Sequence, residues 1–382
     1  MNSVSIDALR PEIWQKELYA DVIDNLYFTK NGMMGKGDNN IVELKDDLRK
    51  QKGDTITFGL TAKLGQGTGV TGDNELEGNE SKITPYSESV VIDQWRDAVR
   101  LTGKLDEKKN GYDMRIDAKN KLSIRMQEMI EMQIFLKLGG VTNTALTNVA
   151  GDAIGTFADG TNICTWSNTS MTADQATARN VVTAAGTGER YVGANSSGGA
   201  SLAAGDKITP ALISRAKVKA ILASPKVKPL RISGKNMWIL FVHPWQAFDL
   251  KRNEEFRQAQ REAAARGSEN PIFTGAIGIW DGVIIHEHEY APFLDVSVAG
   301  DAFLSGESNT DFAVDTFRAL LCGQQAIGFA RCTPQNGWVE KNFDYENKWG
   351  VSTGLIGGVQ KLAFNDEDYG VVTIDTAATS LA

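Results

Sequence analysis

Two of the three histidines stand in the string His286-Glu287-His288-Glu289. On an extended strand side chains alternate, so His286 and His288 would share a face, and both imidazoles could reach one metal ion. A third ligand would have to come from elsewhere, and His243 is the only other histidine. The competing reading is an alternating polar edge on an antiparallel strand, and the sequence favours it. Gly65, Gly67 and Gly69 are spaced like a phosphate-cradling loop. Neither the Lys-Ser/Thr of a P-loop nor a helix follows them, so that mechanism fails. No nucleophile elbow is expected, and no serine or cysteine has an evident histidine base. Neither a catalytic constellation nor a cofactor or metal site is expected.

Trp95-Arg96 and Arg100 have the residue types that stack bases and hold phosphates. Asp93 and Asp97 interleave with them, so a solvated or interface strand is the better reading. The net charge of −8 agrees. A dedicated nucleic-acid binder carries a basic footprint, whereas residues 301–382 hold eleven acids against five bases.

These residues hang on a chain organised around Tyr112–Leu138, which contains no Gly or Pro and is rich in helix formers. At ~1.5 Å per residue it predicts a rod of roughly 40 Å, ended by Gly139 and Gly140. Its first half is mostly charged. Met126, Met129, Ile130, Met132, Ile134, Phe135, Leu136 and Leu138 cover nearly the whole circumference of the second half. A helix apolar all round is buried, so one end is solvated or at an interface and the other is the axle of a core.

Ahead of the rod, residues 53–101 predict a two-stranded ribbon. Asp54–Leu60 alternates as a strand does, a polar tip with glycines at 65, 67, 69, 72 and 78 follows, and Ser89–Leu101 returns. Such a hairpin is marginal alone and reads as packing on a neighbour. Phe58, Val91, Ile92, Trp95, Arg96 and Arg100 are the candidate assembly interface. Residues 1–52 form an arm, with helical spacing from Ile13 to Leu26 after Pro11, and with 41–50 as a second short helix or an extended piece. The start lacks the marks of a signal peptide, and no apolar run is long enough to span a membrane.

After the rod, residues 141–205 hold only six charged side chains and read as an irregular surface insertion. Thr209 and Pro210 open a helix through Ser224. Met237–Val242 suits a buried strand. Pro244 opens one helix ending at Gly267. Residues 275–289 read as two strands about an Asp281-Gly282 turn. The tail from Trp338 to Ile374 is strand-like, with turns at Gly350, Gly357 and Gly370. Cys164, Cys322 and Cys332 form no CxxC and argue for a reducing compartment. Without a regular βαβ rhythm the class is α+β.

The string GTGVTGDNELEGNESKITPYSESVVIDQWRDAVRLTGKL, followed by YDMRIDAKNKL and IFLKLGG, resembles the major capsid proteins of tailed phages of the N-four type. These sit in the wider group with the Hong Kong 97-like capsid fold. GAIGIWDGVIIHEHEYAP resembles a later segment of that family. The resemblance implies an N-terminal arm (1–52), an extended E-loop (53–101) and a peripheral-domain spine helix (102–140). It also implies a mainly axial domain (206–330) and a return to the peripheral domain (331–382). Residues 141–205 have no counterpart.

The implied function is structural, not enzymatic. Copies of one chain form hexamers and pentamers of an icosahedral shell that encloses double-stranded DNA without reading its sequence. The implied location is the virion, after assembly in the host cytoplasm. A separate scaffold, a portal and decoration proteins are the implied partners, with no membrane and no cofactor. The alternatives are another virion component, such as a tail or baseplate protein, and a metal-dependent hydrolase built on the HEHE strand. Two further expectations follow. Trp95 is dispensable to the subunit's own fold, and His286 and His288 are dispensable to its stability.

Overall fold

The computed structural model describes residues 22, 25–46, 53, 55–61, 69–80, 85–109, 114–141, 190–194, 202–223, 226–232, 234–264, 276–296, 312–332, 339–345, 347–364 and 367–378. The helices are α1 (Tyr27–Lys30), α2 (Lys104–Lys109), α3 (Met114–Leu138), α4 (Pro210–Leu222), α5 (Pro244–Arg252) and α6 (Glu254–Ala264). The rod is α3, 25 residues long. Ile116 and Ile124 in its first half are exposed, while Met126, Met129, Ile130, Ile134, Phe135 and Leu138 are buried. Gly140, at φ 66°, ends it. Its N–H donates to the Lys137 carbonyl (3.1 Å) and that of Val141 to Leu136 (3.0 Å), which is the Schellman arrangement that only a left-handed residue completes without strain.

Two sheets cover the buried half of α3. The first has six strands: β1 (Met34–Gly35), β2 (Val42–Lys45), β5 (Asp93–Arg100), β13 (Ile327–Arg331), β14 (Val339–Phe343) and β15 (Lys348–Lys361). Strand β15 is its trunk, pairing antiparallel with β5 from Gly350↔Arg100 to Gly357↔Asp93. The second has eight: β6 (Tyr191–Gly193), β7 (Leu230–Ile232), β8 (Lys235–Val242), β9 (Ala276–Trp280), β10 (Val283–Glu287), β11 (Phe293–Leu294), β12 (Thr316–Cys322) and β18 (Val371–Ala377).

Alternate residues of the second sheet enter different cores. Ile239 and Phe241 of β8, with Leu320 and Cys322 of β12, join the cluster around α3. Leu240, Val242, Ala319 and Leu321 face α4, α5 and α6. A sheet buried on both faces needs continuous apolar strands, which is why MWILFV does not alternate. The α3 cluster also takes Val351, Leu355 and Val359 from the first sheet and Val22, Leu26 and Phe28 from the arm. Arg318 of β12 ties the parts together. Its guanidinium grips Asp375 of β18 through two 2.8 Å bonds and donates to the Gly139 carbonyl at 3.0 Å.

The ribbon consists of β3 (Thr55–Thr61) and β4 (Pro85–Val91), in register from Thr55↔Val91 to Thr61↔Pro85, and a short pair, β16 (Ala363–Phe364) with β17 (Glu367–Asp368), leads into β18. The returning strand does not run unbroken. It leaves the ribbon at Ile92 and continues as β5 in the first sheet. One ribbon face, Ile56, Phe58, Leu60 and Val90, packs on Ala330, Leu362 and Tyr369 of the same chain. Glycines allow this close crossing. A Cβ on Gly358 would lie 2.3 Å from the Val91 carbonyl oxygen, and one on Gly328 3.0 Å from the Phe58 ring.

Several expectations need correction. Trp95 is only 7% exposed and belongs to the subunit's main core, so it is not dispensable to the fold. The piece at 41–50 is extended, as β2 running parallel to β13. The helix from Pro244 breaks at Asn253 (ψ 128°), whose Oδ1 accepts from the Phe256 N–H at 3.3 Å, because Asn competes well as a cap. Gly350 and Gly357 lie inside β15, so of the three expected turn glycines only Gly370 is at a turn. The Gly350-Val351-Ser352-Thr353-Gly354 string has the spacing of a nucleophile elbow but runs straight along that strand. Thr209 caps α4 as expected, accepting from the Leu212 N–H. Asp281 and Gly282 take positive φ (45° and 75°), as a type I′ hairpin requires. Most of the expected N-terminal helix, most of the 141–205 insertion and Gly65 and Gly67 lie outside the described residues.

Two substitutions test this arrangement. Trp95→Ala should cost the free subunit about 3–5 kcal/mol, read as a lowered midpoint in denaturant; an unchanged midpoint would show that Trp95 is not a core residue. Gly358→Leu should cost roughly 1–3 kcal/mol by overpacking, with faster proteolysis confined to residues 55–91. Cleavage spread evenly over the chain would contradict the crossing at Gly358.

Candidate assembly surface

The histidine string does place His286 and His288 on one face, but that face is internal. Strand β10 is paired on both sides, parallel with β8 and antiparallel with β9, so it is no edge. Ile284 of the same strand packs against the α3 cluster, so alternation puts His286 and His288 on that inner side, and His286 is 5% exposed. Its Nδ1 and the Tyr27 hydroxyl share a hydrogen bond of 2.9 Å. His288 stacks on Phe135 of α3 at 4.3 Å and lies edge-on to Tyr27 at 4.6 Å. Glu131 of α3 closes the group by accepting the Tyr27 backbone N–H at 2.6 Å. His243 is elsewhere. It caps α5 through a reciprocal pair with Gln246 and lies against Phe293 and Phe317.

Burial fixes the chemistry of these rings. The pKa values of His243, His286 and His288 are lowered to about 4 by desolvation, with His286 adding to the effect at His288. Burial also raises the Glu131 carboxyl above its usual range. The imidazoles are therefore neutral packing groups at neutral pH. Among the described residues no group of three or more His, Cys, Asp and Glu side chains could hold a metal ion. No helix among them is long and apolar enough to cross a membrane.

The six candidate interface residues separate into two sets. Phe58 and Trp95 are buried within the subunit, at 0% and 7% exposure, so their apolar area is already used. Val91 is 41% exposed, Ile92 is half-buried, and Arg96 and Arg100 are exposed. The pairing with β15 explains the split. Trp95↔Leu355 and Val99↔Val351 point at α3, while Arg96↔Gly354 and Arg100↔Gly350 point the other way.

That outer face continues onto β14. Lys341 lies opposite Gly350 and Val339 opposite Ser352. The Phe343 ring lies 2.7 Å from where a Cβ on Gly350 would stand, with the Arg100 guanidinium 4.5 Å and the Lys341 ammonium 5.1 Å from its centre. The contribution of β14 was missed from sequence, because alternation in VEKNF shows a strand but not its partner. The ribbon tip is the other bare element. Residues 71–80 are exposed throughout, and Leu76 is 61% exposed.

Comparison with known proteins places this geometry in context. The family model described as "Phage capsid protein" matches residues 2–380. The major capsid protein of Pseudomonas phage KPP25 is 29% identical over 362 residues, covering 91% of this chain and 90% of that protein. The capsid of Ralstonia phage GP4 has a similar fold, with a TM-score of 0.70 at 24% identity over 94% of this chain and 92% of its own. The capsid of cyanophage Pam1 aligns at a TM-score of 0.64 and 24% identity over 91% of each chain.

The histidine cluster generates a pH prediction. Between about pH 6.5 and 4 the unfolded chain protonates these rings while the folded chain does not. Their contribution is present above pH 6.5 and lost as the pH falls towards 4. Each ring can contribute up to about 1.4 kcal/mol per pH unit. The neighbouring Glu131 acts in the opposite sense, because its raised pKa favours the folded state on acidification. His286→Gln with His288→Gln should flatten the fall of unfolding free energy between pH 6.5 and 4.5. An unchanged slope would show that neither ring is buried neutral.

Proposed function

We infer the role of this protein from the premise that the chain belongs to the phage capsid protein family. It is a major capsid protein of a tailed phage, a structural coat subunit and not an enzyme. The observation that carries this reading is the family match along almost the whole chain, with a similar fold over nine-tenths of it. The subunit assembles with copies of itself into the shell of the virion. The fold is a phage capsid fold of mixed helix and strand.

The finer reading is the Hong Kong 97-like version of that fold. In it α3 is the spine helix, the first sheet is peripheral, the second sheet with α4, α5 and α6 is axial, and β3–β4 is the E-loop. The shell is built of hexamers and pentamers around double-stranded DNA held without sequence readout. It assembles in the host cytoplasm with a separate scaffold, a portal and decoration proteins. The bare ribbon tip and the uncovered outer face of β5 and β14 support this reading. Interfaces of standard size bury about 800 Å² per partner, and closed symmetry repeats each contact for every copy. The acidic composition suits a wall that does not trap DNA. A metal-dependent hydrolase is disfavoured, since both string histidines are packed among aromatic rings.

The purified chain should form closed particles visible by electron microscopy. Deletion of Gly67–Gly78 should leave a monomer with wild-type circular dichroism that forms no closed particles. Normal particles from the deleted chain would remove the ribbon from the assembly mechanism.

A further inference from the structure

A short stretch of the arm closes over the histidine pair. Leu26 and Phe28 enter the α3 cluster beside Val22, and the Phe28 ring packs on Phe135 of α3 at 5.3 Å and on Phe241 of β8 at 5.6 Å. Tyr27 stands between them. Its hydroxyl shares the 2.9 Å bond with His286 Nδ1, its ring lies 4.6 Å from that of His288, and its backbone N–H donates to Glu131 at 2.6 Å. Strand β10 is held independently, by its ladders to β8 and β9. Residues 26–28 thus help to keep water from two rings whose own strand does not need them. The His288 ring is also specific about its proton. Its Nδ1 accepts the Tyr290 N–H at 3.2 Å, so its single ring proton sits on Nε2, 3.9 Å from a Glu131 oxygen. A second proton must go on Nδ1, where it meets the Tyr290 N–H, donor against donor.

We propose that Tyr27, His286 and His288 form an acid-released latch, in which protonation of the two rings expels the arm segment around Tyr27 from the groove between α3 and β10 while the rest of the subunit stays folded. The segment is stowed at neutral pH and free in acid. All the groups belong to one subunit, so the latch does not rest on the coat-protein reading. A group that binds protons better with the arm open than closed drives opening as the pH falls. Burial lowers both rings to about 4, so closure is favoured above pH 6.5 and loses that support down to 4. Each ring makes opening up to about tenfold more favourable per pH unit in that window. The second ring is the harder to charge, because His286 repels charge on His288. Glu131, Glu128 and Arg125 face the cluster from α3, Lys30 from the arm and Glu289 from the end of β10. Glu131 opposes the histidines, since burial raises its carboxyl and its support for closure grows on acidification. One carboxyl against two rings leaves the net sign with the histidines. The Tyr27 and Tyr290 phenols, raised by burial, stay protonated throughout. His243 is lowered as well, but it caps α5, away from the groove, so its titration bears on the subunit as a whole.

Hydrogen exchange read by mass spectrometry on the unassembled full-length chain tests the latch between pH 7 and 5, after correction for the intrinsic pH dependence of exchange. The amides of Thr29, Lys30, Asn31, Gly32 and Met33 bond to carbonyls of residues 26–29 and report on the closed segment. Their protection should fall by about tenfold or more over that range, while the amides of Met126–Leu138 and of β18 keep theirs. His286→Gln with His288→Gln, which keeps polar side chains without a titrating ring, should abolish the rise in opening with acid. Tyr27→Phe keeps the ring and removes the hydroxyl that meets His286. It should open the segment roughly fivefold more at pH 7, the effect of one lost hydrogen bond.

Equal loss of protection in the arm, the rod and the second sheet would mean global unfolding in place of a latch and would overturn the proposal. Protection at residues 29–33 that does not change between pH 7 and 5 would overturn it too, as would a pH dependence that survives in the double glutamine variant. Should that variant fail to fold, Tyr27→Phe decides: protection equal to wild type at pH 7 removes Tyr27 from the latch and refutes it.

Discussion

The structure depends on one constraint, that the Met126–Leu138 half of α3 must be covered on every side. It presents apolar side chains around its circumference, and water cannot be left on any of them without losing about 25 cal/mol for each Å². One sheet alone covers one flank. The solution is two sheets and the arm around a single rod, in one continuous cluster drawn from all of them. Arg318 fixes the geometry at the end of that rod by holding the Gly139 carbonyl and the Asp375 carboxylate together. A bidentate pair so deeply buried is costly to desolvate, and it persists where every donor is used. Its yield is orientation of the helix end against the second sheet.

Covering α3 leaves the first sheet asymmetric. Its inner face, with Trp95, Val351 and Leu355, is consumed by the core. Among the described residues its outer face receives the base of the ribbon, admitted at Gly328 and Gly358, where a side chain would collide with it. The rest of that face, on β5 and β14, carries bases and a few apolar groups. A coat subunit needs such surfaces, because a chain that satisfied all its own faces would have nothing left to offer a neighbour. The second sheet differs, being packed on both faces by α3 and by α4, α5 and α6.

The HEHE string shows how residue type can mislead when burial is unknown. Its alternation was legible, and both rings do share a face. What decides their chemistry is that β10 is an inner strand and that Tyr27, Phe135 and Glu131 arrive from distant parts of the chain. A histidine in that setting is a flat, neutral packing ring whose desolvation opposes charge. No reading of spacing along one strand can supply those neighbours.

By itself the sequence determined whatever depends on near neighbours in the chain. The rod and its glycine stop, the Thr209-Pro210 cap, the Asp281-Gly282 hairpin, the buried MWILFV strand and the polar ribbon tip follow from propensity, capping and periodicity, which act over a few residues. The family strings of the ribbon and rod were legible for the same reason. Tertiary structure alone decided which face of each element is used. Trp95 and Arg96 are adjacent in sequence, yet one is core and the other surface, because pairing with β15 sets which side of the sheet each occupies. Gly350 and Gly357 read as turns, but they lie within one strand, and Gly350 is crowded by the Phe343 ring. Long-range contact sorts these residues, and it is set by the need to cover α3 rather than by any local pattern.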